Sequence, residues 1–319
     1  MSIPADMTWH DEPWMRVERA WEAGRMPHAL LLEGPAGLGK LAFARRVAAL
    51  ALTGEVPSGN IESAWQHPDL RETTLPEGKK QIVADQVRAL CTQLVMTSHA
   101  NGYKVALIHP ADRMNTHAAN SLLKTLEEPT PSTLLILVRS RLDTLPATIA
   151  SRCQRIRFSA PPREEGLAWL RQQDPDRDFS RLLTMAGGAP LMAVGLAAAG
   201  LDELDRVFRQ DLAGILRGDE SPVAVAARWQ KEDLEQTLGW LNAFVTELIR
   251  AGAVAGDNVA PDLQIFHKNI RLGSLFGYLD EVQAAVARSG SALGTQLVLE
   301  GLLVPWRNRL NETVHGGRH

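Results

Sequence analysis

At 319 residues of ordinary globular composition, the chain has room for two or three domains, each with its own core. A formal net charge of −3 excludes the overall basic field of a stand-alone nucleic-acid binder, so any DNA contact must be local or shared with partners. Two cysteines far apart, Cys91 and Cys153, exclude a disulfide framework and a cysteine zinc site. Met1 to Thr8 lacks a basic region followed by an apolar one. The longest near-apolar run, Leu191 to Leu201, is too short and too rich in Ala and Gly to span a bilayer. A cytoplasmic location with no membrane contact is expected.

The first strong pattern is the apolar run Ala29-Leu30-Leu31-Leu32, read as a strand. It leads into Gly34-Pro35-Ala36-Gly37-Leu38-Gly39-Lys40-Leu41, and the apolar periodicity of Leu41 to Leu52 marks a helix behind it. This is the spacing of a phosphate-binding loop at a strand-to-helix turn. Gly34, Gly37 and Gly39 let backbone N–H groups approach phosphate oxygens, the helix N-terminus adds partial positive charge, and Lys40 supplies a point charge. Leu41 stands where a serine or threonine hydroxyl would hold magnesium. No cofactor is required on this reading, while a vestigial site for phosphate, ADP or ATP stays open.

Further along, Asp85 is expected to cap a helix whose apolar face carries Val87, Leu90, Cys91, Leu94 and Val95, making Cys91 a buried small hydrophobe. Lys104 to Ile108 reads as a parallel strand buried on both faces. Asn115 or Thr116 caps the next helix, with Ala118, Leu122 and Leu126 inward and Pro129 as its stop. Thr133 to Val138 is a second apolar strand and Arg155 to Phe158 a shorter one. Strands alternating with helices imply a parallel sheet covered on both faces.

Ser159-Ala160-Pro161-Pro162 punctuates the chain, and only helical patterns follow from about Glu164. A small helical unit, interrupted by Gly187-Gly188-Ala189-Pro190, runs to about Ala198. A larger region follows, with stripes at Leu234, Leu238, Leu241, Val245 and Leu248 and at Leu293, Leu297 and Val298 to Leu303. The tail from Asn311 to His319 reads as frayed. The expected fold class is α/β plus all-α: a P-loop domain over 1–161, a small helical lid over 162–199 and a helical domain over 200–319.

A P-loop hydrolase needs an acid at the end of a neighbouring strand to hold magnesium. Directly after Lys104 to Ile108 stand His109 and Pro110 instead. Asp112 is either a solvated loop residue or the magnesium ligand of an active ATPase or small-molecule kinase. With Leu41, two independent parts of a hydrolytic site are missing, so no ATPase activity of the chain's own is expected.

Leu122-Leu123-Lys124-Thr125-Leu126-Glu127-Glu128-Pro129 and Leu145-Pro146-Ala147-Thr148-Ile149-Ala150-Ser151-Arg152-Cys153 give the sequence a family. With His28-Ala29-Leu30-Leu31 and His67-Pro68-Asp69, they make the chain resemble the clamp-loader branch of the AAA+ proteins from about Trp9 to Pro162, and more weakly beyond. The resemblance implies a AAA+ domain, a lid and a C-terminal collar. It implies that Arg152 is an arginine finger acting in trans on the ATP of an adjacent subunit, a role a guanidinium suits because it stabilises charge on phosphate oxygens. Without that context Arg152 would read as a surface arginine in an ion pair. Ser151 and Cys153 would hold the turn, with no base beside Cys153 to make it a nucleophile. Lys124 would lie near the inter-subunit edge, assisting the same site or simply lying on a solvated helix face. Pro190 stands about where active relatives carry an arginine that senses their own nucleotide. Many relatives carry a four-cysteine zinc module after the P-loop helix; Leu52 to Gln66 contains no cysteine, so no metal is expected. The implied partners are motor subunits of gamma or tau type, a delta subunit and, through the assembled complex, a sliding clamp and primer-template DNA. Direct DNA binding by the isolated chain lacks a basic stripe or a stacking platform in the sequence.

Overall fold

Strand order in the sheet differs from strand order in the chain, and that difference places the P-loop. The computed structural model describes residues 7–56, 67–95, 98, 102–140, 145–254, 263–288 and 294–311, without the side chains of 254, 268, 269 and 308–311. It divides into two compact units, Met1–Gly195 and Leu196–His319. In the first, five parallel strands run in the order β2-β3-β4-β1-β5. They are β1 (Ala29–Glu33), β2 (Leu70–Thr74), β3 (Lys104–His109), β4 (Thr133–Arg139) and β5 (Gln154–Arg157). β1 lies between β4 and β5, with Leu31 opposite Leu137 and Arg155.

All residues of β1 and β4 are buried, as their continuous apolar runs require of strands covered on both faces. On one face Leu30, Leu32 and Val138 pack with Trp14 and Val17 of α1 (Asp11–Glu22) and with Phe43, Val47 and Leu50 of α2 (Lys40–Thr53). On the other, Leu31, Ile108, Leu135 and Leu137 meet α3 (Ala84–Val95), α4 (Thr116–Glu127) and the single turn α5 (Ala147–Ala150). Each such leucine, fully removed from water, contributes about 1.5–3 kcal/mol. Asn115 caps α4, its side chain accepting from the Ala118 N–H at 2.8 Å. Three short helices follow: α6 (Arg163–Gln173), α7 (Ser180–Met185) and α8 (Pro190–Ala198). The first unit thus has the α/β P-loop fold that the alternating strands and helices imply, a parallel sheet covered on both faces and followed by short helices.

The second unit is helical: α9 (Leu201–Arg217), α10 (Pro222–Trp229), α11 (Leu234–Val254), α12 (Gln264–Asn269), α13 (Leu272–Arg288) and α14 (Thr295–Asn311). Its core is aromatic. Phe208 stacks on Trp229 at 3.9 Å, and Trp240 on Phe244 at 5.1 Å. The buried indoles find acceptors, as burial of a polar N–H demands: Trp229 donates to Asp211 and Trp240 to Asp205, both at 2.8 Å, and Trp306 to the Leu212 carbonyl at 3.2 Å.

Several local expectations change. Asp85 is not a cap: it lies inside the first turn of α3, paired with Arg88, and the backbone N–H of Val83 instead donates to the Gln86 side chain at 3.1 Å. Val95 ends that helix 70% exposed, and Cys91 is half-buried rather than buried. Leu297 is 62% exposed, so the last stripe narrows to Leu299, Leu302 and Leu303. Leu293 and residues 312–319 of the tail lie outside the described residues.

Candidate functional site

The carboxyl ends of the parallel strands share one edge of the sheet, where open α/β sheets place their ligands. The P-loop follows β1 there. At Gly34 a Cβ would stand 2.2 Å from the carbonyl oxygen of Phe158, the residue just after β5, which leaves room for no side chain. Gly37, at φ 77°, meets α8 so closely that a Cβ would lie 2.5 Å from that of Met192.

The loop is fastened by hydrogen bonds from elsewhere in the unit. The Leu191 N–H, in the first turn of α8, donates to the Gly37 carbonyl at 3.1 Å. Trp9 Nε1–H donates to the Leu38 carbonyl at 3.0 Å and His10 Nε2–H to the same oxygen at 2.7 Å. Since a carbonyl only accepts, the imidazole proton on that side is on Nε2, and burial keeps the ring neutral by lowering its pKa. Lys40 is buried at 5% exposure and its Nζ donates back to the Pro35 carbonyl at 2.5 Å. Burial lowers its pKa to about 8, against an opposing pull from the charge of Asp112.

Leu41, the second residue of α2, packs half-buried against the core, and its side chain offers no oxygen. His109 closes β3 with its pKa lowered by burial, and Pro110 leads into a 3-10 turn, Ala111–Arg113. Asp112 in that turn is half-buried and ties down the end of β4, its Oδ1 accepting from the Ser140 N–H at 3.2 Å. It is therefore a structured residue felt by Lys40, not a freely solvated one. The glycines and Lys40 suit a phosphate anion. Leu41, His109 and Pro110 supply no oxygen for magnesium, which leaves Asp112 as the candidate ligand.

Arg152 lies at the same sheet's next connection, in the turn after α5. Its Nη2 pairs with Glu127 Oε1 at 2.7 Å, and its Nη1 donates to the Thr148 carbonyl at 3.0 Å. Ser151 Oγ donates to that carbonyl at 3.0 Å. Glu127 ends α4, so the two motif segments that are separate in sequence meet through this ion pair. The Arg152 side chain is 37% exposed and that of Glu127 51%. Cys153 is buried against the apolar cluster of that face, and burial pushes its thiol up to about 11, so it is a neutral thiol near pH 7. Lys124 is exposed in the last turn of α4 with no ion pair among the described residues. Pro190 is buried as the first residue of α8, where it starts the helix that covers Gly37.

The sequence reading missed Trp9, His10 and Leu191, which act through contacts across 28 residues or more. It also missed Glu33, flanked by Arg139 and Arg157. A carboxylate ending an apolar strand, with arginines ending two other strands, was the available signal.

Comparison with known proteins agrees with this architecture. Residues 9–162 match the family model described as DNA polymerase III, delta subunit. The DNA polymerase III subunit delta prime of Pseudomonas aeruginosa is 32% identical, over 92% of this chain and 96% of its own. That of Haemophilus influenzae is 31% identical over 75% and 77%. A DNA polymerase III gamma subunit-related protein of Thermotoga maritima superposes with a TM-score of 0.42 at 19% identity, covering 92% of this chain and 99% of that one. With the P-loop, the strand order and the Ser151-Arg152-Cys153 turn already in place, the length and identity of the bacterial matches identify the chain as a member of the DNA polymerase III subunit delta prime family.

Proposed function

We propose that the chain is a catalytically degenerate clamp-loader subunit that lends Arg152 to the ATP site of a neighbouring gamma- or tau-type motor subunit. The assembly, with a delta subunit, would place a sliding clamp on primer-template DNA in the cytoplasm. The observation that carries the reading is a contrast within one domain. Arg152 holds a partly exposed guanidinium on a turn braced by Thr148 and Glu127. The domain's own P-loop, by comparison, has the half-buried Leu41 packed against the core and His109-Pro110 at the end of β3. Chemistry would then occur on the neighbour, with Arg152 stabilising charge on the transferring phosphoryl group.

Reconstituting the complex with Arg152→Ala tests this. Assembly and circular dichroism should be unchanged, while single-turnover hydrolysis at the adjacent motor site should fall by roughly 10³-fold or more. Arg152→Lys should not restore it, because an ammonium lacks the planar fork. Undiminished hydrolysis would remove the finger role.

One observation favours a second reading, an ATPase or small-molecule kinase in its own right: the charge of Asp112 acts on Lys40. Magnesium-dependent ATP turnover by the isolated chain, abolished by Asp112→Ala, would replace the scaffold reading. No turnover is expected.

A further inference from the structure

Glu33 ends β1 at 3% exposure, in register with Arg139 of β4 on one side and Arg157 of β5 on the other. Its two oxygens are divided between them: Arg139 Nη2 donates to Oε2 at 2.5 Å and Arg157 Nε to Oε1 at 3.0 Å. Arg155, two residues earlier and so on the same face of β5, gives its Nε–H to the Ala150 carbonyl at 3.2 Å. The three guanidiniums, Glu33, Gly34, Pro35 and Phe158 line one groove.

Among the described residues that line the groove, one carboxylate faces three guanidiniums, an excess of two positive charges. The way the arginines are tethered matters more. Arg155 and Arg157 are each held by Nε alone, and neither terminal Nη pair has a partner among the described residues. Arg157 is 77% exposed. Fixing Nε orders a guanidinium while leaving its two terminal donors for something else. Arg139 is fixed behind them, 6% exposed, through Glu33.

We propose that this groove is an anion site for a phosphate group, gripped by the Nη donors of Arg155 and Arg157 over a base formed by Arg139 and Glu33. Arginine forks match phosphate oxygens in bidentate fashion, and a tetrahedral phosphate can serve two forks at once, whereas a carboxylate's two oxygens fill one. The site touches the first two residues of the P-loop but uses neither Lys40 nor Gly37 nor Gly39. It is also independent of the role assigned to Arg152. The phosphate could belong to a free polyphosphate or to the backbone of a nucleic acid.

The test uses the full chain with two probes, tripolyphosphate by calorimetry and a fluorescein-labelled single-stranded oligonucleotide by anisotropy at low salt. Wild type should bind at least one. Arg155→Ala/Arg157→Ala should weaken that binding at least tenfold while the protein stays folded by circular dichroism at the assay temperature, and Arg155→Lys/Arg157→Lys should recover only part of it. If the oligonucleotide binds, the double alanine variant should also lower the slope of log affinity against log salt by about 0.7, the value for one lost phosphate contact on a single strand. Binding of tripolyphosphate alone identifies a small-molecule ligand, and binding of the oligonucleotide identifies the backbone. The proposal is overturned if neither probe binds, if the double alanine variant binds as wild type does, if Lys40→Ala abolishes binding instead, or if polyglutamate competes as well as either probe. None of these outcomes bears on motor-site hydrolysis by the Arg152 variants.

Discussion

Lys40 holds a charge in a place that disfavours it. Its ammonium is buried, donates to Pro35 and has its pKa brought down to about 8. An unfolded lysine titrates near 10.4, so between about pH 8 and that value the unfolded chain carries more protons than the native one at this position. Stability from this group therefore rises with pH across that window, by at most about 1.4 kcal/mol per pH unit, and the cost of burying the charge is fully present below pH 8. Urea titrations at pH 7, 8, 9 and 10 should show this rise in wild type and a flatter dependence in Lys40→Met. Equal slopes would mean that Lys40 titrates normally. Cys153 contributes the opposite sign: its thiol is raised, so it favours the native state less once pH passes the ordinary thiol value. Comparing wild type with the single variant cancels that background.

At the scale of elements, α4 is the helix most completely written in the sequence. Of the two caps the sequence offered, Asn115 is the one used and Thr116 opens the helix, while Ala118, Leu122 and Leu126 inward and Pro129 just beyond its end are found as read. Asn115→Ala should cost about 1 kcal/mol, seen as a lower urea midpoint with an unchanged m-value; a shift in m would point to a change in the unfolded ensemble instead. β1, β3 and β4 were equally plain, because strands covered on both faces must be continuously apolar. β2 was invisible for the complementary reason. Leu70-Arg71-Glu72-Thr73-Thr74 is an edge strand with one neighbour, and only Leu70 and Thr73 are buried, so its backbone pairing with β3 sets its conformation more than its side chains do. Asp85 misled because an acid within a helix's first turn and an acid that caps it differ by one or two positions in sequence, and only the hydrogen bond tells them apart.

For the whole molecule, the motifs identified the residues of the P-loop and of the Ser151-Arg152-Cys153 turn, but not how either is held. The ion pair between Arg152 and Glu127 joins segments 25 positions apart, and neither residue's identity alone announces the other. Long-range fastening of this kind is what single-sequence periodicity cannot carry. The same holds for the loop itself. Trp9 and His10 grip Leu38 from the N-terminal side, and Leu191 grips Gly37 from the start of α8. A glycine loop is ordinarily the part of a nucleotide site that relaxes when its ligand leaves. Here it works as a seam, with two distant stretches of chain sewn to two consecutive carbonyls, one through the side chains of Trp9 and His10 and the other through the backbone of Leu191, so loosening Gly37 and Leu38 would free both stretches from the loop whether or not a phosphate were ever bound.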